Sequence, residues 1–165
     1  MKRQRKTYAT PTKRFDKQRI ERELGHLKNF GLKRKTELWK MEALLRNYRS
    51  LARELAASRN AEKEKILINK LVKMGVLDEG TTLDDVLGLT IERLLERRLP
   101  NLIFKKGYTN SVKQARQLVT HGHVTIWGRK IVYPSYLVTK DEESKIQVNA
   151  AFKQKTIDST GAGGE

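Results

Sequence analysis

The chain has no cysteine, which excludes disulfides and thiolate metal sites. No apolar run approaches the length of a membrane span, and the opening Met1-Lys2-Arg3-Gln4-Arg5 leads into no apolar signal core, so we expect a cytosolic protein without a membrane partner. A membrane-surface helix would set its cations opposite a bulky apolar face, and the N-terminal segment lacks one. A phosphate-binding glycine loop, a nucleophile elbow and paired carboxylates are also missing. The pattern therefore points to a binder rather than an enzyme, with no cofactor and no metal. The most informative shortage is local. From Arg97 to Lys140 there is no Asp or Glu, while Arg97, Arg98, Lys105, Lys106, Lys113, Arg116, Arg129, Lys130 and Lys140 supply positive charge.

Against those absences stands a large cationic excess. A third of the 165 residues are charged, and the formal net charge is +16. Solubility does not require so much; an excess of this size suits nucleic acid or an anionic surface. The length allows one domain or two small ones with a modest core.

The acid-free stretch has a readable local structure. Ser111-Val112-Lys113-Gln114 has the form of a capping box. Ala115, Leu118, Val119 and Gly122 follow at helical spacing, with Gly122 placed to end the helix in a left-handed conformation. At 100° per residue, Lys113, Arg116, Gln117 and Thr120 share one face, and Val112, Ala115, Leu118, Val119 and Gly122 the opposite one. The first face is the one a nucleic acid can meet. Arg116 is its leading candidate, since a guanidinium both forks onto phosphate and stacks on a base; the alternative is that it braces a backbone carbonyl or lies on solvent. The run from His123 to Val132 places two short, partly β-branched segments around a Gly-containing turn and predicts a β-hairpin bearing Arg129 and Lys130. His121 and His123 have no Cys or nearby carboxylate to complete a metal site. They are read as stacking on a base or bonding a phosphate, with idle surface histidines as the equal alternative.

Residues 1–35 hold thirteen Lys or Arg against Asp16, Glu21 and Glu23, a net of +10. We expect a basic arm that orders on its nucleic-acid partner, using Arg3, Arg5, Lys6, Lys33, Arg34 and Lys35, with a short helix near 16–29 and a turn at 29–31. Gly31-Leu32-Lys33-Arg34-Lys35 resembles a localisation patch but is better read here as phosphate-contacting. From Thr36, a candidate cap, the residues Leu38, Met41, Leu45, Tyr48, Ala52 and Leu55 form one helical stripe. A second helix near 61–74 carries Ile66, Leu67, Leu71 and Met74. The acidic island Asp78–Asp85 lacks the spacing of a calcium loop and is read as Thr82 capping a short helix, with Asp84 and Asp85 at its positive end. Thr90 opens another helix carrying Ile91, Leu94 and Leu95, which Pro100 must stop. Lys145–Val148 reads as a last strand, and 150–165 as a mobile tail.

Several motifs in order carry a resemblance: Arg98-Leu99, Gly107-Tyr108-Thr109-Asn110-Ser111, Gln114-Ala115-Arg116-Gln117-Leu118-Val119, Gly122-His123-Val124 and Val132-Tyr133-Pro134-Ser135-Tyr136. Together they resemble the RNA-binding domain named after the fourth protein of the small ribosomal subunit, over roughly 95–149. Where that family commonly has Asp after the Arg-Leu pair, Pro100 stands; Pro suits the first turn of a helix, but a side-chain cap is lost. Adding the basic arm, the helical bundle, Leu83-Asp84-Asp85-Val86-Leu87-Gly88-Leu89-Thr90 and Glu96-Arg97-Arg98-Leu99, most of the chain is similar to that ribosomal protein family in its archaeal and eukaryotic branch. Without Cys, the zinc site of some bacterial relatives is absent.

The resemblance implies an α+β protein with an arm over 1–35, a helical domain over 36–93, an RNA-binding domain over 94–149 (two helices on a short sheet or hairpin) and a tail over 150–165. It implies a structural constituent of the cytoplasmic ribosome, one copy per small subunit. Its expected partners are the small-subunit rRNA and neighbouring subunit proteins, with mRNA near its channel into the subunit as a further contact, and its expected roles are starting assembly of the subunit body and supporting translational accuracy. A stand-alone regulator or stress factor using the same module is the alternative; an RNA-modifying enzyme would need a separate catalytic domain.

Overall fold

The structure, a computed structural model, describes residues 6–149. Arg3, Arg5 and the expected tail over 150–165 lie outside the described residues. The chain separates into two compact units, one through Leu95 and the other from Glu96.

In the first unit, α1 spans Lys17–Asn29, with the Asp16 carboxylate accepting the Arg19 backbone N–H. α2 spans Lys35–Ser58 and buries Leu38, Met41, Leu45, Tyr48 and Ala52, the stripe that three- and four-residue steps require. Arg34, not Thr36, occupies its N-cap position, and no side chain caps it. α3 spans Ala61–Lys73 and follows Asn60, whose side chain accepts the Lys63 N–H. Leu67 and Leu71 are buried, but Ile66 is 67% exposed: one residue before Leu67 it points about 100° away from the inward face. α4 spans Leu83–Gly88, and the Asp85 carboxylate accepts the Thr82 N–H at 2.8 Å, so the acidic island serves a helix end. α5 spans Ile91–Glu96 and buries Leu94 and Leu95. Leu45, Tyr48, Leu67, Leu71, Val86 and Leu94 meet in one core.

The expected arm does not stop at residue 35 as a separate piece. Glu23 of α1 and Leu32 are buried, and Glu23 is tied to Lys35 and Trp39 of α2. Residues 16–35 therefore fold with the helical bundle, because a buried carboxylate must keep its cationic and N–H partners.

In the second unit, α6 (Leu99–Lys105) has Pro100 in its first turn and no side-chain cap, as the replacement of Asp by Pro predicts. Its start is held by backbone instead, the Leu99 N–H donating to the Tyr136 carbonyl at 2.9 Å. α7 spans Val112–Thr120 and buries Ala115, Leu118 and Val119. The Ser111 hydroxyl accepts the Gln114 N–H at 3.2 Å, while the Gln114 side chain reaches one residue further back than a capping box requires, to the Asn110 N–H. β1 (Val124–Ile126) lies between β2 (Arg129–Lys130) and β3 (Ile146–Val148), both antiparallel to it. A short α8 (Lys140–Glu143) precedes β3. The β1–β2 turn is Trp127-Gly128, at φ 52° and 74°, the double left-handed geometry that matches strand twist in a two-residue hairpin. Trp127 is 62% exposed, and Lys145 Nζ sits 5.4 Å from its ring centroid. One core joins α6, α7 and the sheet through Leu99, Ile103, Leu118, Val119, Val124 and Ile146. Among the described residues no helix is long and apolar enough to cross a membrane.

Candidate nucleic-acid interface

α7 divides along its length as its sequence requires. Ala115, Leu118 and Val119 are buried, Lys113, Gln117 and Thr120 are exposed, and Arg116 is half-buried. The helix closes at Gly122, φ +74°, with the His123 N–H donating to the Leu118 carbonyl at 3.0 Å; this is the bond of a glycine-ended helix. That closure turns the chain back on itself and sets the His121 and His123 rings nearly parallel, 6.2 Å apart with an interplanar angle of 7°. The two rings, with Gln114, Gln117 and Leu118, line a cavity of about 250 Å³. Amides that both donate and accept, beside flat imidazoles, are suited to base edges and faces.

Lys130 joins this surface from β2. Its side chain passes over Gly122 so closely that a Cβ there would collide with Lys130 Cε. The Lys130 side chain can swing aside, so what calls for glycine here is the left-handed φ. Arg129, its neighbour on β2, is exposed. Gln117, His121, His123 and Lys130 thus stand around the C-terminal end of α7, while Lys113 lies in its first turn, Arg116 midway along it and Thr120 at its last position.

Four expected RNA contacts are engaged within the protein, Lys105 and Lys106 while staying exposed. Arg98 is only 2% exposed, pinned by a backbone bridge to Leu137 at the start of α6. Arg97 donates from Nη1 to Glu143 at 2.7 Å and from Nη2 to the Val138 carbonyl at 3.0 Å. Lys106 donates to the Glu143 carbonyl, and Lys105 pairs with Glu96 at 2.7 Å. The partner acids lie just outside the acid-free stretch and fold back onto it. Glu142 is likewise engaged: it accepts the Thr139 N–H and the Tyr136 hydroxyl, the latter at 2.6 Å. That hydrogen bond, with burial and the carboxylate charge, pushes the Tyr136 hydroxyl up to about 12.

In the first unit, Lys33 and Arg34 are exposed at the start of α2 and Lys6 is exposed, whereas Lys35 is ion-paired to Glu23 at 2.9 Å. Glu23 is the residue that sequence reasoning missed. It was read as one of three acids diluting a basic arm, yet it is 3% exposed and accepts from Arg19 Nη1 at 2.7 Å and Trp39 Nε1 at 3.0 Å. Its one legible signal is Arg19 at i−4 on the same helix.

The two faces of α7 give a paired expectation. Changing Lys113 and Arg116 together to Ala should weaken RNA binding several-fold and lower its salt slope by about 2, with little change in unfolding. Leu118→Ala should cost about 2–5 kcal/mol through a buried cavity. Filter binding alongside urea unfolding separates them; a double variant that binds like the parent, or unfolds as readily as Leu118→Ala, overturns the assignment of faces.

Comparison with known proteins identifies the domain that carries these residues. The S4 domain family matches residues 97–144. Beyond that domain, the chain is 47% identical to the small ribosomal subunit protein uS4 of Hyperthermus butylicus over 148 residues, 88% of this chain and 84% of that one. It is 45% identical to the protein of the same name from Ignicoccus hospitalis over 145 residues, 86% of this chain and 87% of that one. Against that of Saccharolobus solfataricus it is 43% identical over 160 residues, covering 93% and 88%.

Proposed function

The chain belongs to the uS4 family of small ribosomal subunit proteins, and from that premise we propose that it is a structural constituent of the small subunit, bound directly to its rRNA. In this reading it is present at one copy per subunit in the cytoplasm and touches neighbouring subunit proteins. It binds rRNA early, nucleates assembly of the subunit body, and lies near the channel that admits mRNA, where it contributes to translational accuracy. It acts by binding and not by catalysis.

One observation carries the reading: the relationship extends through the helical half as well as the S4 domain. A regulator or modifying enzyme that borrowed the RNA-binding module would need to share only that module. The polar face of α7, the histidine pair and Lys130 supply the flat and cationic groups that RNA binding calls on.

The test is stoichiometry. Quantitative mass spectrometry of purified small subunits should find one copy of the chain per particle, retained through a high-salt wash. Substoichiometric recovery, or loss in the wash, would favour a stand-alone regulator instead.

A further inference from the structure

Within the first unit, Lys6, Arg14, Arg19, Lys35 and Trp39 line a groove of about 700 Å³, well within the size range of small-ligand sites. Its described lining residues include four cations and no carboxylate. Glu23, which pairs with two of these lining cations, is itself buried and occupied by Arg19, Lys35 and Trp39. That network does more than neutralise. By accepting the Trp39 Nε1–H at 3.0 Å, Glu23 fixes how the indole is turned. Arg19 meanwhile donates from Nη2 to the carbonyls of Lys13 at 2.6 Å and Arg14 at 3.1 Å, which holds the segment carrying Arg14 against α1. Tyr8 lies beside the indole, ring centroids 6.0 Å apart and tilted by 38°.

An oriented aromatic ring in a cationic groove has a specific chemistry. Cations alone would serve any phosphate; the Trp39 indole, its N–H already given to Glu23, has no donor left for phosphate but keeps a face on which an unpaired base stacks. We propose that this groove takes one unpaired nucleotide of single-stranded RNA, its base laid on Trp39 and its phosphates on Lys6 and Arg14. The proposal rests on the RNA-binding reading above and adds to it a second, single-strand-selective subsite in the helical half. Glu23 acts there as a positioning residue: it sets the indole and leaves the groove net positive.

The test uses the full chain carrying Trp127→Phe, which leaves Trp39 as the only indole, since the chain has two Trp. A short single-stranded RNA should quench its fluorescence, and a blunt RNA duplex of the same length should not. Trp39→Leu should weaken binding of the single strand about five-fold or more. Lys6→Gln with Arg14→Gln, both at exposed positions, should weaken it also and lower the salt slope by about 1.4, at roughly 0.7 per phosphate on single strands. Unchanged Trp39 fluorescence at saturation, equal quenching by the duplex, or parental affinity in the Lys6 and Arg14 variant would each overturn the proposal. Should Trp39→Leu fail to fold, the Lys6 and Arg14 variant and the quenching experiment decide. A parent that binds small-subunit rRNA while the groove tests fail loses only the groove; a parent that binds neither RNA loses the functional reading as well.

Discussion

Glu23→Ala is expected to lower the stability of the first unit by about 3 kcal/mol, the low end for a broken buried ion pair. The carboxylate has two cationic partners and one indole N–H. Its removal strands charge that burial had matched. Arg19 and Lys35 keep side-chain exposures of 24% and 35%, so both can turn partly to water, which holds the cost down. Glu23→Gln should cost less, because its amide oxygen still accepts from Trp39. The same site gives a pH dependence. Burial pushes the Glu23 carboxyl up, but hydrogen bonds from Trp39, Lys35 and Arg19, with the Lys35 charge, outweigh it and bring it below its ordinary 4.5. A depressed folded value means the stabilisation is present above pH 4.5 and is lost as pH falls through the folded value. Thermal unfolding of the parent should therefore drop on acidification below that point, and in Glu23→Gln this part of the drop should be missing. A Glu23→Ala variant that unfolds like the parent would show that the network does not hold α1 to α2.

Affinity for small-subunit rRNA is expected to fall by about three to four orders of magnitude between 50 and 200 mM salt. The size of the effect comes from which cations remain at the surface. Arg98 is buried, and Arg97 and Lys35 are tied to the protein's own acids and carbonyls. Lys105 and Lys106 are exposed but bonded to Glu96 and the Glu143 carbonyl, and are left out of the phosphate count. Lys6, Lys33, Arg34, Lys113, Arg116, Arg129 and Lys130 remain on or near the surface. If each neutralises one phosphate, the log–log slope lies at roughly −5 on single-stranded and −6 on helical RNA. Arg97→Ala should leave that slope unchanged and instead loosen the second unit, because its guanidinium bonds Glu143 and the Val138 carbonyl. A nearly flat salt dependence would sink phosphate-led binding; a steep slope that Arg97→Ala reduces would put Arg97 at the RNA after all.

Much of the secondary structure was legible because its determinants are local. The stripe from Leu38 to Ala52 follows from 3.6 residues per turn, and so do the two faces of α7. The Ser111 cap and the Gly122 ending also need only neighbours within a turn. The family was legible for a related reason: a long ordered series of motifs constrains far more than any one of them. What the local rules could not reach was the state of individual charges. A linear window found no acid from Arg97 to Lys140, yet Glu96 and Glu143 close on that stretch from either side. The Arg97–Glu143 bond joins residues 46 apart in sequence, and Lys106 reaches Glu143 across 37. Burial of Arg98 and Glu23 likewise depends on what packs over them, not on their neighbours in the chain. Helical periodicity and capping are decided within one or two turns and can be read from sequence. Which cations stay at the surface for a polyanion depends on desolvation and long-range pairing, and these exist only once the chain is folded.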